Sequence, residues 1–242
     1  AGAVGTLYNI LTGIAEEKSG ELYRLIAANP AFVPLLFVGL AAGAFVIGTA
    51  TRLVPMIRGS GVPQTEGAAR GILHFRWYVV MCSMFAASLA CVFMGLPAGS
   101  EGPSLEIGAS AGQGVGATLR RSLMVRRLQI AAGASSGLAA AFNAPFTGLA
   151  FAMEEAFRSF SAQVFTCSAV SVLVSLTVRN LMRSAMGFSV GFTFTTFTYV
   201  PMEPIGYLYV AIAALAAGLL GVAFYHLMLL CRRGFSKITF LK

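Results

Sequence analysis

Long stretches without a charged residue alternate with short clusters of arginine and lysine along the chain. Five of these stretches reach the roughly 20 apolar residues that a helix needs to cross a bilayer, so each predicts one transmembrane helix or two shorter ones. The five are Leu25–Thr51, Trp77–Ser100, Leu128–Met153, Ser159–Val178 and Pro204–Cys231. The apolar stretch Ala1–Ile14 predicts the end of a further helix, and it lacks the positively charged start of a secretory signal peptide.

Three turns interrupt the apolar pattern in the same way, with small or polar residues placed just before a proline. They are Gly59-Ser60-Gly61-Val62-Pro63, Gly99-Ser100-Glu101-Gly102-Pro103 and Phe142-Asn143-Ala144-Pro145. Proline fits the first turn of a helix, and serine or asparagine is a favoured cap just before it. Each turn therefore predicts a helix that begins within or near the membrane. Non-helical backbone at that depth is tolerated only where it is buried in protein or lines an aqueous cavity.

Helix starts of this kind can bind an anion without any cationic side chain. A helix N-terminus carries about half a positive charge and several unpaired N–H groups, and glycine lets a ligand approach the backbone closely. Several such starts that meet at mid-membrane would form an anion site. The alternative for each turn is a packing kink or a short re-entrant segment. Elsewhere, the glycines of Gly108-x-x-x-Gly112-x-x-x-Gly116 predict close packing between two helices.

The composition excludes an ordinary soluble domain. Hydrophobic residues make up 57% of the 242 residues and charged residues only 11%, with a mean hydropathy of +0.79, whereas a soluble domain is about one quarter charged. The net charge of +8 comes from clusters such as Arg120–Arg127 that flank the apolar stretches, as cytoplasmic loops do. No basic stripe is interleaved with aromatic residues. We therefore predict a multi-pass membrane protein that has the lipid bilayer, and no nucleic acid, as a partner.

The acidic residues are more informative, since all nine are glutamates. A carboxylate at membrane depth costs at least ~2.5 kcal/mol, so such a residue is a candidate for function. Five lie in or beside apolar, glycine-rich sequence: Glu66, Glu101, Glu106, Glu154 and Glu155. The cysteines and the two histidines show no metal-ligand spacing, and no catalytic constellation is present. We predict no metal, no cofactor and no enzyme activity.

From Ser60 to Glu155 the sequence resembles the CLC chloride channels and proton-coupled chloride antiporters. The resemblance is carried by the first two turns above, by the segment Gly133-Ala134-Ser135-Ser136-Gly137 that leads to Asn143-Ala144-Pro145, and by Glu154-Glu155. It implies an all-α membrane fold with broken and re-entrant helices, and a homodimer in which each subunit has its own pore. It also implies chloride and protons as the transported ions, which are exchanged across a bacterial inner membrane.

The resemblance assigns roles to particular residues. Ser60 coordinates the central anion from the inner side, and backbone groups around Gly61, Val62, Gly99 and Gly102 complete the anion site. Glu101 is the gate: ionised, it occupies an anion position, and protonated, it swings out. Glu155 exchanges protons with the interior, which favours an exchanger over a passive channel. Without the resemblance, Glu101 is interpreted as a carboxylate at a helix start that the helix dipole stabilises. Glu154 and Glu155 are then interpreted as residues at a helix end that pair with Arg158.

The sequence departs from the family pattern in places. Ser100 stands where a basic residue is frequent, Gln64 where glutamate is frequent, and Glu106 where an uncharged polar residue is usual. Five residues after Glu101, Glu106 is expected to point roughly 140° away from it on a helix, so we do not place it in the anion path.

The chain also matches only the first of the two inverted halves of the membrane domain. The glycine-rich helix start and the tyrosine of the second half do not occur, and Phe192–Tyr199 predicts an extended interfacial loop instead. We expect residues 1–242 to be the first half of a CLC-type domain, within a longer protein. The alternatives are a passive chloride channel, and a non-transporting assembly module or half-subunit that needs a partner chain.

Overall fold

A computed structural model describes residues 1–96, 98–156, 160–188 and 203–236, apart from the side chains of Phe235 and Ser236. The chain divides into two compact units, Ala1–Thr193 and Phe194–Lys242. The described residues form nine α-helices and no β-strand. The helices are α1 (Gly2–Ala28), α2 (Val33–Leu53), α3 (Val62–Ala69), α4 (Trp77–Phe93), α5 (Glu101–Thr118), α6 (Leu123–Phe142), α7 (Pro145–Phe151), α8 (Ala162–Ala185) and α9 (Pro204–Ser236).

Helix α1 extends well past its predicted end. It continues from the apolar Ala1–Ile14 stretch to Ala28, because the charged residues in its second half are exposed and do not end the helix. Lys18 and Glu21 form an exposed ion pair of 2.8 Å within that half, at the i, i+3 spacing that supports a helix. The uncharged run Leu25–Thr51 is accordingly divided by a short 3₁₀ turn at Pro30–Phe32, and α2 begins after it.

Three described helices are long and apolar enough to cross a membrane: Pro30–Leu53, Ala162–Ala185 and Pro204–Gly234. Helix α4 is also apolar but shorter, with 17 residues. The predicted run Leu128–Met153 is not one helix, since α6 ends at Asn143 in the left-handed conformation (φ 54°) and α7 starts at Pro145. Broken helices of this kind confirm the predicted fold class. The predicted loop Phe192–Tyr199 lies outside the described residues.

The glycine pattern of α5 forms the closest helix contact of the first unit. A side chain on Gly108 would overlap the carbonyl of Gly133 in α6, and one on Gly112 would overlap that of Gln129. At the other end of the interface, a side chain on Gly137 would overlap the carbonyl of Ser104. The two backbones therefore touch along several turns, as the four-residue spacing predicted.

Two apolar clusters hold the shorter helices against this pair. One joins Leu105 of α5 and Ile130 of α6 to Phe151 of α7, with the buried alanines of α3. The other joins Tyr8 of α1 to Met84 of α4, with Ile107 of α5 between them. Leu105 and Ile107, two residues apart on α5, thus pack against different helices, so this part of α5 is held from several sides.

Candidate anion site

The first predicted turn is built on two glycines in the left-handed conformation. Gly59 has φ +84° and Gly61 has φ +82°, a region that costs other residues about 1–2 kcal/mol. Gly61 is the N-cap of α3, and its carbonyl accepts a hydrogen bond from the Thr65 N–H at 3.0 Å. The exposed Ser60 makes no capping hydrogen bond. The N–H groups at the start of α3 are therefore not covered by a side-chain cap.

The second turn leads into α5, and Glu101 is the first residue of that helix. Ser100 is the N-cap, but only its backbone carbonyl takes part, accepting from the Ser104 N–H at 3.0 Å. The half-buried Glu101 side chain folds back over Gly99, where a β-carbon would lie 3.1 Å from the carboxyl carbon. The carboxylate therefore lies beside the N-terminus of its own helix, where the helix dipole favours a negative charge.

The two turns touch each other through Gly102. A side chain at this position would overlap the carbonyl oxygen of Ser60, so only glycine allows this approach. The Gln64 side chain donates a hydrogen bond to the carbonyl of Arg58 and closes the first turn from behind. The backbones at the start of α5 and just before α3 are therefore in direct contact.

A cavity of about 360 Å³ opens where these turns meet α2 and α4. Four of the predicted anion-site residues line it: Ser60, Gly99, Glu101 and Gly102. Among the described residues that line it, none is a lysine or an arginine. The other two predicted residues do not line it, because Gly61 is buried behind the turn and Val62 packs against the cluster around Leu105.

Glu155 lies apart from this cavity. It is exposed, as is Glu154, on a single π-helical turn at Ala152–Ala156 that follows α7. Neither residue lines the cavity. The alternative pairing with Arg158 falls outside the described residues.

Glu106 lies in a position that the sequence did not predict. It is 1% exposed, and neither carboxylate oxygen has a hydrogen-bond partner among the described residues. Its Oε2 atom would lie 2.7 Å from a β-carbon built on Gly61. Glu106 therefore contacts the first turn from the side opposite the cavity. The one available signal was its spacing of four residues from Gly102, which places both residues on one face of α5.

The serines and asparagine of the three turns do not cap the helices they precede. The N-caps of α3, α5 and α7 are Gly61, Ser100 and Ala144, and none makes a side-chain capping bond. Asn143 instead ends α6. The expectation of side-chain caps was wrong at these positions, because Gly61 and Ala144 have no polar side chain and the Ser100 hydroxyl makes no capping bond. Within the described part of the chain, no group of three or more His, Cys, Asp or Glu side chains is placed to hold a metal ion.

Taken together, the broken helices and the three helices long and apolar enough to span a membrane are the features of a multi-span membrane protein, with a cavity where two helix starts meet. The sequence model of the family described as "Voltage gated chloride channel" matches residues 42–242. The chain belongs to this family, which confirms the resemblance to the CLC proteins.

Curated relatives extend the match over nearly the whole chain. The H(+)/Cl(-) exchange transporter ClcA of Vibrio cholerae serotype O1 is 30% identical over 243 residues, which cover 98% of this chain and 51% of the relative. ClcA of Salmonella arizonae is 35% identical over 184 residues, or 70% of this chain and 38% of that protein. The crystal structure of a slow cyanobacterial Cl−/H+ antiporter superposes with a TM-score of 0.67 at 28% identity, covering 83% of this chain and 48% of the antiporter. The chain thus spans about half the length of the Vibrio relative, which fits one half of a CLC-type domain.

Proposed function

We propose that the protein containing this chain exchanges chloride for protons across a membrane. The observation that carries the proposal is the position of Glu101, whose carboxylate folds over Gly99 in the wall of a cavity also lined by Ser60. The similarity to proteins named H(+)/Cl(-) exchange transporters supports the same assignment. A carboxylate and a halide compete for one electropositive pocket, so the protonation of Glu101 is coupled to the entry of the anion.

The anion in this proposal is held by backbone N–H groups rather than by a charged side chain. The uncapped starts of α3 and α5 supply these donors, with the Ser60 hydroxyl between them. Chloride needs hydrogen-bond donors but no directional acceptor, so a set of backbone N–H groups at the wall of a small cavity suits it.

The proton path needs a second acid that faces the interior, and we assign this role to Glu155. Its exposed position, on the turn that follows α7, lets it exchange protons with water. The remainder of the anion site comes from sequence outside these residues, and the complete protein acts as a homodimer in a bacterial inner membrane.

The test is a flux measurement on the complete reading frame that contains these 242 residues. The protein is reconstituted into liposomes with a chloride gradient, and chloride and proton movements are recorded together. We expect chloride efflux with proton movement in the opposite direction. Glu101→Gln is expected to retain chloride flux and to lose the coupled proton flux, because the amide cannot carry a proton on and off.

A matched control is Glu66→Gln. Glu66 is paired with Arg70 at 2.6 Å on α3 and does not line the cavity, so coupling should persist in this variant. Chloride movement with no proton signal in the unaltered protein would replace the exchanger with a passive channel. Absence of any flux from a stable, folded protein would favour the assembly module instead.

A further inference from the structure

Glu106 is a buried acid for which the proposed exchange mechanism has no use. Its side chain is 1% exposed and its two oxygens have no hydrogen-bond partner among the described residues. A carboxylate that is ionised and unpaired in such a place is strongly disfavoured, whereas the neutral acid is tolerated. The protonation state of Glu106 therefore depends on its surroundings, and above all on what the neighbouring turn binds.

The neighbour is the turn of the anion site itself. A β-carbon built on Gly61 would lie only 2.7 Å from the Glu106 Oε2 atom, so the carboxyl group contacts this glycine. Gly61 is the N-cap of the eight-residue helix α3. An ionised Glu106 would direct its charge at the N–H groups that the anion needs. It would also repel an anion held at Ser60, because the charge of a buried carboxylate is weakly screened by water.

The charged groups near the turn and α5 are engaged elsewhere. Arg58, which precedes Gly59, donates a hydrogen bond from Nε to the Thr51 carbonyl at 3.1 Å. On α5, Glu101 is five residues away and faces the cavity. On α3, Glu66 and Arg70 pair with each other. On α6, Arg126 lies against Gly116, ten residues or about 15 Å along α5 from Glu106.

The remaining neighbours of α5 contribute no compensating charge. Helix α4 contains Tyr78, Cys82 and Cys91 but no acidic residue, lysine, arginine or histidine. From α1, the phenol Tyr8 packs in the cluster that contains Ile107. The Asn9 side chain of α1 contacts Ser104 near the start of α5. The charged residues of α1 begin only at Glu16, seven residues further along that helix.

We propose that Glu106 is a second proton-binding residue of the anion site, whose carboxyl group must carry its proton for an anion to bind at the Gly59–Gly61 turn. The proposal rests on the proposed binding of an anion at this turn, and it adds a titrating group distinct from the gate. Glu101 contacts the anion position from the cavity, and Glu106 contacts the same turn from the protein interior. Both acids make anion affinity fall as the pH rises, so Glu101 must be removed before Glu106 can be observed.

The experiment is calorimetric titration of chloride into the complete protein in detergent, between pH 5 and 9, in the Glu101→Gln background. We expect chloride affinity to weaken as the pH rises, by up to about tenfold per pH unit where a single proton is lost. The double variant Glu101→Gln/Glu106→Gln is expected to bind chloride with an affinity independent of pH. The matched control Glu101→Gln/Glu66→Gln should retain the pH dependence.

A second measurement does not need the Glu106 variant to fold. Chloride binding to Glu101→Gln, repeated in two buffers of different ionisation heat, should show proton uptake at alkaline pH. Chloride binding that is independent of pH and takes up no proton in Glu101→Gln would overturn the role of Glu106 and leave the anion site intact. Absence of chloride binding in every variant at every pH would overturn the proposed function as well.

Discussion

The backbone contact between α5 and α6 gives the sharpest test of the fold, through the substitution Gly108→Ala. The added methyl group would lie 3.0 Å from the Gly137 α-carbon and 3.1 Å from the Gly133 carbonyl carbon, and it would overlap the Gly133 oxygen. These are helix backbone atoms, which cannot rotate away as a side chain would. The strain can be relieved only by moving α5 and α6 apart, and overpacking of this kind costs about 1–3 kcal/mol.

The matched control is Gly13→Ala in α1, where an added β-carbon meets nothing within 4 Å. Both substitutions gain about 0.5–1 kcal/mol of helix propensity over glycine. The difference between the two variants therefore isolates the packing cost, and we expect Gly108→Ala to be less stable than Gly13→Ala by about 1–3 kcal/mol. Reversible unfolding in mixed detergent micelles measures this difference. Equal stabilities would refute the close approach of the two helices.

Three further substitutions test separate parts of the structure. Gly61→Ala places a β-carbon at φ +82° and 3.0 Å from the Gly102 carbonyl oxygen. A conformational cost of about 1–2 kcal/mol should then lower chloride affinity by about 5- to 30-fold, as measured by calorimetry. Tyr23→Phe removes a hydrogen bond of 2.7 Å to the Met94 carbonyl and should lower the free energy of unfolding by about 0.5–1.5 kcal/mol without changing flux. Glu155→Gln should abolish proton flux in liposomes while Glu154→Gln retains it, and equal proton flux in the two variants would remove Glu155 from the proton path.

The sequence predicted those parts of the fold that follow from local rules. Proline after a small residue marks a helix start, so the beginnings of α3, α5 and α7 fall at or within two residues of the prolines. Glycines four residues apart on α5 predicted a close helix contact, and α6 supplies it. These predictions hold because each depends on geometry within one or two helical turns.

Other features depend on contacts between distant segments and could not be predicted. The length of α1 was underestimated because charged residues were taken to end an apolar helix, whereas Lys18 and Glu21 form an exposed pair on its outer face. The position of Glu106 depends on where the Gly59–Gly61 turn lies, some 45 residues earlier in the chain. A helical wheel gives the direction of a side chain but not the segment it meets.

The uncapped helix starts and the glycine contacts between helices are related features of this fold. A side-chain cap would occupy the first N–H groups of a helix, typically adding about 1 kcal/mol of stability, but it would remove these groups from a ligand. Here backbone contact replaces the missing caps, since Gly102 lets the start of α5 rest on the Ser60 carbonyl and Gly137 meets the Ser104 carbonyl two residues later. Gly108 lies six residues or about 9 Å beyond Gly102 on the same helix. A substitution that separates α5 from α6 should therefore disturb the anion site as well as the stability, although no interface residue lines the cavity.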